Sequence, residues 1–371
     1  MNLRSGQFTP LIPTPPFALN KKLFDKKIYM NEQYKFAETK NSIDQLEFSA
    51  NEIKTIKNLG LTPEDLQKLL DGQSFAEGSY ALIFELPDSD PKVIAKVWKN
   101  PKQDSERADH ENVALRLLRI RKSKGTPQLK GFLKSATILF EEKIEGKPIE
   151  NFDKATIKQL AEAIAKVHSI NLNSYGKPLT QRKKGTQMDY LNGELEKLRD
   201  YLSLLPDSTG TKLLIEQSIN KTESEAKKKP EAFCGNDFTL IHFDLNRNNI
   251  LRSNISDKII LIDWEQTSAG DGAMDIAKLF LKLNFNDEQK KDFLIEYENK
   301  LSKKDEYFQD RLSVHEPLVL INSILWRLRV LKDAPETTSS INEAQFFDRV
   351  RKNLDQELHS MQNFLKNNHQ E

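Results

Sequence analysis

Two short apolar segments in the second half of the chain, each followed directly by acidic or amide residues, constrain its fold and chemistry most strongly. The first is FTLIHFDLNRNNIL (238–251) and the second is KIILIDWE (258–265). Each apolar run has the length and composition of a buried strand. Carboxylate and amide oxygens are the ligands that Mg²⁺ prefers, and a further carboxylate beside a metal could accept a hydroxyl proton. The two segments therefore indicate a site suited to phosphoryl transfer, which depends mainly on positioning and charge neutralisation.

These segments also resemble a known pair of motifs. HFDLNRNN and LIDWE are similar to the HxDxxxxN and (I/V)D(F/W) motifs of the aminoglycoside phosphotransferase and choline kinase superfamily, whose members are relatives of the protein kinases. The resemblance implies that Asp244 is the catalytic base and that His242 braces the catalytic loop. It also implies that Asn249 and Asp263 hold Mg²⁺. A motif match is a hypothesis that depends on its structural context.

The match to the superfamily has two departures. Phe243 stands where these enzymes often have glycine, and the segment Asn246-Arg247-Asn248 replaces a commoner His-Pro-Gly. Protein kinases have lysine at the position of Asn246, so the chain lacks a hallmark of that group. This difference favours a small molecule over a protein as the phosphate acceptor.

Upstream segments supply the context for a nucleotide site. Lys96, in VIAKVW, resembles the strand lysine that holds the α- and β-phosphates of ATP, and Glu111 resembles the helical glutamate that pairs with it. FAEGSYALIF resembles a turn that covers the phosphates, and ILFEEKIEG resembles the hinge between two lobes. The cofactor-binding residues that these resemblances imply are Lys96, Glu111, Gly78, Ser79 and the backbone of Glu142, Lys143 and Ile144. No GxxxxGK(S/T) segment occurs, which excludes a Walker-type phosphate loop.

The order of secondary structure predicts an α+β protein of two lobes. From about residue 73 the sequence alternates short β-forming runs with one helical segment (106–122), and after Pro148 it becomes mostly helical. The resemblance implies a protein-kinase-like fold, with a small antiparallel-sheet N-lobe containing one helix and a larger, mainly α-helical C-lobe. We divide the chain into an N-terminal extension of uncertain order (1–70), an N-lobe (71–143) and a C-lobe (144–371).

Composition narrows the possible partners and location. The chain has 56 basic and 55 acidic side chains, so its net charge of +1 gives no reason to expect a nucleic-acid partner. No apolar run is long enough to span a membrane, and the N-terminus lacks the apolar core of a secretory signal. One cysteine, Cys234, excludes an intramolecular disulfide and fits a reducing compartment. We expect a cytoplasmic protein.

The acceptor is the least determined part of the prediction. The favoured function is ATP- and Mg²⁺-dependent transfer of the γ-phosphate to a hydroxyl of a small molecule that resembles an aminoglycoside, choline or an amino-alcohol. A cationic acceptor would suit an acidic wall, for which the candidates are Glu265, Asp271, Glu316 and Glu336. Trp326 could contact such a cation, although packing in the core is the more common role for a residue in such an apolar helix.

Two other functions stay open at this point. The long, proline-bearing N-terminal segment leaves room for a protein kinase, perhaps one delivered to another cell, so a protein substrate is not excluded. A non-catalytic nucleotide-binding module is the third alternative. The presence of Lys96, Asp244, Asn249 and Asp263 together argues against that third alternative.

Overall fold

The computed structural model describes residues 46–78, 80–86, 89–177, 179–205, 210–335 and 341–366. Its first lobe is built on a five-stranded antiparallel sheet with the strand order β1-β2-β3-β5-β4. The helix α3 (Pro101–Ile120) connects β3 to β4. The strands are β1 (Ala76–Glu77), β2 (Ala81–Glu85), β3 (Val93–Trp98), β4 (Leu129–Leu133) and β5 (Ile138–Glu142).

The alternation of side chains along β3 gives the sheet two different faces. Val93, Ala95 and Val97 lie in one apolar cluster, whereas Trp98 belongs to the other. Successive side chains of a strand point to opposite faces, so Lys96 lies on the same face as Trp98. This face is the one that meets α3 and the second lobe. Lys96 stands opposite Leu139 of β5, in the middle of the sheet.

Two helices before β1 cover the other face of the sheet. α1 (Ala50–Asn58) and α2 (Pro63–Asp71) begin at Ser49 and Thr62, whose side chains each form a capping box. Ile56 and Leu66 are buried in the same cluster as the apolar side chains of β3 and β5. The segment assigned from the sequence to an extension of uncertain order thus includes two helices packed on the sheet, while residues 1–45 lie outside the described residues.

We expect truncation to separate these two parts of the N-terminal segment. A protein that lacks residues 1–45 is the reference for the free energy of unfolding. Deleting residues 1–71 should lower it by about 3–6 kcal/mol, because full burial of a Leu or Ile side chain contributes about 1.5–3 kcal/mol and both Ile56 and Leu66 would be lost. Urea unfolding of the two truncated proteins measures the difference. Equal stability would contradict a structural role for α1 and α2.

The second lobe is mostly helical, as predicted from the sequence, and the α+β division is confirmed. Two small antiparallel sheets, β6-β8-β9 and β7-β10, lie at its edge. Their strands are β6 (Gly146–Pro148), β7 (Thr239–Ile241), β8 (Ile250–Ser253), β9 (Ile259–Leu261) and β10 (Ser268–Gly270). The helices are α4 (Lys154–His168), α5 (Gln187–Ser203), α6 (Gly210–Lys227), α7 (Pro230–Phe233), α8 (Gly272–Leu283), α9 (Asp287–Lys300), α10 (Phe308–Lys332) and α11 (Ile341–Lys366).

The two motif segments become strand ends of this lobe. β7 leads into the loop that carries Asp244, and β9 leads into Asp263. A short 3-10 turn, Arg247–Asn249, connects the loop to β8, which pairs with β9. This pairing brings the two polar segments to one edge of the lobe. Among the described residues, none of the helices combines the length and the apolar character needed to cross a membrane.

Candidate active site

A cleft of about 1180 Å³ runs between the sheet of the first lobe and the helices of the second. Its walls include Lys96 from β3, the end of β5, the loop after β7, and side chains of α5, α8 and α10. Large concave sites that combine apolar walls with a few converging polar groups are the usual places for ligands. Most of the predicted site residues that the structure describes line this one cleft, whereas Glu111 and His242 are fully buried and do not line it.

Lys96 is the centre of a buried ionic cluster. Its Nζ lies 2.7 Å from Oε2 of Glu111 and 2.6 Å from Oδ1 of Asp263. The other carboxylate oxygen of Glu111 accepts a hydrogen bond from the backbone N–H of Trp264, so α3 is tied to the segment that carries Asp263. Burial opposes the charge of the ammonium, but the two carboxylates outweigh it and hold the pKa of Lys96 well above its usual value. The predicted pairing of Lys96 with Glu111 is present.

Asp244 lies in the cleft within a network of amides. Its Oδ2 and its carbonyl oxygen both accept hydrogen bonds from Nδ2 of Asn249, at 3.2 and 2.9 Å. Nδ2 of Asn246 donates to the same two oxygens. The side chain of Asp244 is partly exposed to the cleft, which a group that exchanges a proton with a ligand requires.

His242 is buried and joins the two motif segments. Its Nε2 donates to the carbonyl of Ile262, and its Nδ1 accepts from the backbone N–H of Asp244. This pattern places a proton on Nε2, because a carbonyl can only accept. Asp275 of α8 accepts hydrogen bonds from the backbone N–H groups of His242 and Phe243. Hydrogen bonds to the segment after β9 and to α8 therefore fix the position of the loop.

The two predicted metal ligands offer oxygens to the cleft. Asp263 has a left-handed backbone, with φ of 67° and ψ of 71°, and one of its carboxylate oxygens contacts Lys96. Among the described residues, none donates a hydrogen bond to Oδ2 of Asp263 or to Oδ1 of Asn249, while Nδ2 of Asn249 is engaged with Asp244. One carboxylate and one amide oxygen fit the few protein ligands that Mg²⁺ takes when phosphates supply others.

The segment after β5 lines the same cleft. The backbone N–H groups of Glu142 and Lys143 donate to the carbonyls of Gln128 and Lys92, respectively. The N–H of Ile144 donates to no described residue, which leaves it able to meet a ligand. The side chain of Lys143 forms an ion pair with Glu85.

Gly78 also lines the cleft, in the turn between β1 and β2. A Cβ added there would meet the carbonyl oxygen of Ala81 at 3.5 Å, which is ordinary contact, so the protein itself does not require glycine at this position. Its predicted contact with phosphate stays a prediction. Ser79, predicted with it, lies outside the described residues.

Glu141, which the motifs did not indicate, is a buried carboxyl group in the cleft wall. It is 5% exposed, and its Oε2 has no hydrogen-bond partner in the described part of the chain. Burial and the nearby Glu111 carboxylate raise the pKa of Glu141 to about 8. A signal was present in the sequence, since a glutamate inside the apolar run ILFEE must be buried if the run is a central strand.

We expect Glu141→Gln to remove a pH-dependent loss of stability. A carboxyl group whose pKa is raised by folding binds more protons in the folded state between its usual pKa near 4.5 and about 8. Stability therefore falls as pH rises through that window. The free energy of unfolding of the variant minus that of the parent should increase by roughly 1–3 kcal/mol from pH 5.5 to pH 9. Urea unfolding at both pH values checks this, and a constant difference would refute it.

Most of the acidic wall predicted from the sequence is not present. Asp271 is buried away from the cleft, where it pairs with Arg311 at 2.8 Å and contacts His315. Glu316 pairs with Lys290 on another face of α10. Of the four candidates, Glu265 lines the cleft, where it lies 3.4 Å from Arg107, and Glu336 lies outside the described residues.

The packing preferred for Trp326 was wrong. Its side chain is 41% exposed and lines the cleft instead of entering the core. The apolar residues of α10 that precede it are buried against α8, and Trp326 lies on the neighbouring face of the helix. The nearest charges over its ring are those of Lys282 and Arg327, at 5.9 and 5.8 Å from the ring centroid.

Three solved structures of kinases and phosphotransferases are similar in fold to this chain. An ethanolamine kinase from Plasmodium vivax is 15% identical, with 90% of this chain and 99% of that chain covered and a TM-score of 0.56. A choline kinase from Cryptosporidium parvum is 15% identical, with coverage of 80% and 90% and a TM-score of 0.55. A macrolide 2'-phosphotransferase type I is 13% identical, with coverage of 79% and 98% and a TM-score of 0.51. The protein-kinase-like fold predicted from the sequence is confirmed.

Comparison of sequences identifies the family. No curated protein sequence matches the chain. A sequence model described as choline/ethanolamine kinase matches residues 80–355, which is about three quarters of the chain. The matched region includes Lys96, the loop of Asp244 and the segment of Asp263. The chain therefore belongs to the choline/ethanolamine kinase family.

Proposed function

We propose that the protein transfers the γ-phosphate of ATP to a hydroxyl group of a small molecule, with Mg²⁺ bound at Asn249 and Asp263. ATP-dependent phosphotransfer follows from the family. One observation supports this assignment of roles more than any other. Lys96 and Asp263, which are paired with each other, and the Asp244–Asn249 network line the same cleft, although their sequence positions span residues 96 to 263.

ATP would lie with its base against the end of β5 and its phosphates near Lys96. The N–H of Ile144, which donates to no described residue, would meet the adenine edge, and the backbone near Glu142 and Lys143 would complete that contact. Lys96, held by Glu111, would contact the α- and β-phosphates. The Lys96 ammonium is already ordered by its carboxylate partners, so it loses little conformational freedom when the phosphates bind. This preorganisation favours binding of the nucleotide.

Mg²⁺ would supply charge neutralisation between the phosphates when it is bound. The carboxylate of Asp263 and the amide oxygen of Asn249 are suited to hold it, because both are hard oxygen donors that face the cleft. Asn249 also holds Asp244 through its Nδ2, so one side chain would position the metal and the base together.

Asp244 would act on the acceptor hydroxyl. As the hydroxyl oxygen forms a bond to the γ-phosphorus, the bond from that phosphorus to the oxygen bridging the β-phosphate breaks, and ADP leaves. The hydroxyl proton passes to Oδ1 or Oδ2 of Asp244. His242 and Asp275 would keep the carboxylate in place through their bonds to the loop backbone.

The binding of ATP gives the first test of this function. ATP with Mg²⁺ should stabilise the folded protein by about 2.7 kcal/mol at a concentration near 100 times the dissociation constant. Thermal unfolding is measured with ATP and Mg²⁺, with GTP and Mg²⁺, and with Mg²⁺ alone, which gives the stabilisation and the preference for the base. An unchanged melting temperature with every nucleotide would contradict the proposal.

An ATP-consumption screen then tests the acceptor class. Choline, ethanolamine, amino sugars, neutral sugars and a generic protein form a suitable first set. Turnover with the protein and none with the small molecules would favour the protein-kinase alternative. Nucleotide binding with neither phosphate transfer to any acceptor nor slow hydrolysis of ATP would favour the non-catalytic alternative. The cytoplasmic location stays a prediction.

A further inference from the structure

One end of the cleft carries a hydrogen-bond donor and a hydrogen-bond acceptor that lack partners in the described part of the chain. The donor is the backbone N–H of Ile144, and the acceptor is Oε2 of Glu141, whose side chain is 5% exposed. Both residues line the cleft, at and just after the end of β5. Buried polar groups nearly always have partners, so this pair indicates a ligand that supplies them.

The pairing of the central strands directs the side chain of Glu141 to the cleft side of the sheet. Glu141 stands opposite Ile94 of β3, and Ile83 of β2 stands opposite Lys96. Ile94 and Lys96 are two residues apart on β3 and therefore share a face. Ile83 and Ile94 line the cleft from the first lobe, and Leu251 of β8 lines it from the second. The carboxyl group of Glu141 thus lies beside an apolar slot between the lobes.

The cation of the ionic cluster is not available to Glu141. Lys96 is held by Glu111 and Asp263, and no ion pair among the described residues joins it to Glu141. Burial and the Glu111 carboxylate raise the pKa of Glu141 to about 8, so the group holds a proton at neutral pH. A carboxylic acid still accepts through its carbonyl oxygen. A buried acceptor without a partner costs free energy, which a donating ligand would offset.

Adenine is the purine base that matches this pair of groups. Its ring atom N1 accepts a hydrogen bond, and the adjacent amine at C6 carries two hydrogens in the plane of the ring. The N–H of Ile144 would meet N1, and a backbone carbonyl of the segment after β5 would take one amine hydrogen. The second hydrogen would point toward Glu141. Guanine carries a hydrogen on N1, which would place one donor against another at Ile144.

We propose that Glu141 recognises the C6 amine of ATP, because its carboxyl oxygen accepts the amine hydrogen that the backbone does not take. This inference rests on the proposed phosphotransfer and adds one side chain to base contacts that otherwise come from the backbone. Glu141 would determine the choice of phosphoryl donor without touching the transferred phosphoryl group.

A nucleotide that differs from ATP only at C6 tests this contact. Purine riboside triphosphate keeps N1 as an acceptor but has hydrogen in place of the amine. With Mg²⁺ and without an acceptor, we expect the parent to bind ATP about 30-fold more tightly than this analogue, as measured by calorimetric titration. Glu141→Met should lower that ratio about tenfold, through weaker binding of ATP, because the thioether is a poor acceptor. Its affinity for purine riboside triphosphate should stay within about threefold of the parent.

Two further variants separate hydrogen bonding from the shape of the side chain. Glu141→Gln keeps an oxygen that can accept, so its preference for ATP should stay within about threefold of the parent. Glu106→Met replaces an exposed glutamate of α3 outside the cleft and should keep the full preference. Thermal unfolding checks the fold of each variant. Glu141→Met should melt no lower than the parent, because it loses an unpartnered buried carboxyl group.

Three results would overturn the proposal. In the first, Glu141→Met weakens the binding of both nucleotides by one common factor, which would give the side chain a structural role only. In the second, Glu141→Gln loses the preference as fully as Glu141→Met. In the third, the parent binds the two nucleotides equally, which leaves the nucleotide site and the phosphotransferase assignment intact. Failure of every purine triphosphate to bind with Mg²⁺ would overturn that assignment as well.

Discussion

Asp244→Asn is expected to lower kcat for phosphotransfer by about 10²–10⁴-fold, the usual contribution of a general base. The substitution removes the proton acceptor but keeps the shape of the side chain and one oxygen that can accept from Asn249. The loop should therefore keep its position, since His242 and Asp275 hold its backbone rather than the carboxylate. Nucleotide affinity should stay within about threefold, because Asp244 touches neither Lys96 nor Glu111.

The measurement combines steady-state kinetics with a nucleotide titration of the same protein samples. Asp257→Asn is a matched control, since this exposed aspartate lies in the turn between β8 and β9 and contacts Arg252. It should change neither kcat nor nucleotide affinity. A kcat for Asp244→Asn within tenfold of the parent would show that another group accepts the proton. Loss of nucleotide binding in that variant would mean that the side chain supports the loop.

The predicted site residues that the structure brings together share a local cause. His242, Asp244 and Asn249 are close in the chain, and the turn after β7 brings them together by itself. Asp263 joins them because β8 and β9 pair as neighbours in both sequence and space. Lys96 is recognisable as a charged residue in an apolar strand, which needs a partner when buried. The predicted convergence of these residues follows from short-range folding rules.

The residues that the sequence missed depend on contacts between distant elements. Lys278 and Lys282 lie on an ordinary amphipathic helix, and nothing in α8 alone shows that one turn of it faces the cleft. Glu141 becomes unusual because α3 brings Glu111 to the same face of the sheet. Asp271 was predicted at the cleft but pairs with Arg311 of α10, 40 residues later in the chain. Such pairings are set by helix packing, which local patterns do not encode.

The N-terminal helices are a second case in which the sequence predicted a local feature but not a contact between elements. The capping signal at Thr62 predicted a helix start correctly, and α2 begins at the following residue. Its role on the sheet could not be read from composition, because α1 and α2 expose mostly polar side chains and bury a few apolar ones. Ile56 and Leu66 matter because the sheet face formed by β3 and β5 would otherwise be uncovered.

Asp263→Asn is expected to weaken Mg²⁺-dependent nucleotide binding by on the order of 100-fold, equivalent to about 2.7 kcal/mol. The metal loses its carboxylate ligand, whereas Lys96 keeps one of its two carboxylate partners, Glu111. Asparagine is the sharpest substitution here, because it accepts the left-handed backbone of this position, whereas alanine would add strain.

Calorimetric titration of Mg²⁺ at a fixed concentration of a non-hydrolysable ATP analogue measures the change directly. The parent should show tighter nucleotide binding as Mg²⁺ rises, and the variant should show little dependence on the metal. Asn249→Ala should produce a smaller loss of Mg²⁺ dependence, because an amide oxygen is a neutral ligand, together with a lower kcat, because Asn249 also holds Asp244. A Mg²⁺ titration of Asp263→Asn that matches the parent would place the metal elsewhere in the cleft. It would leave Asp263 as a partner of Lys96 alone.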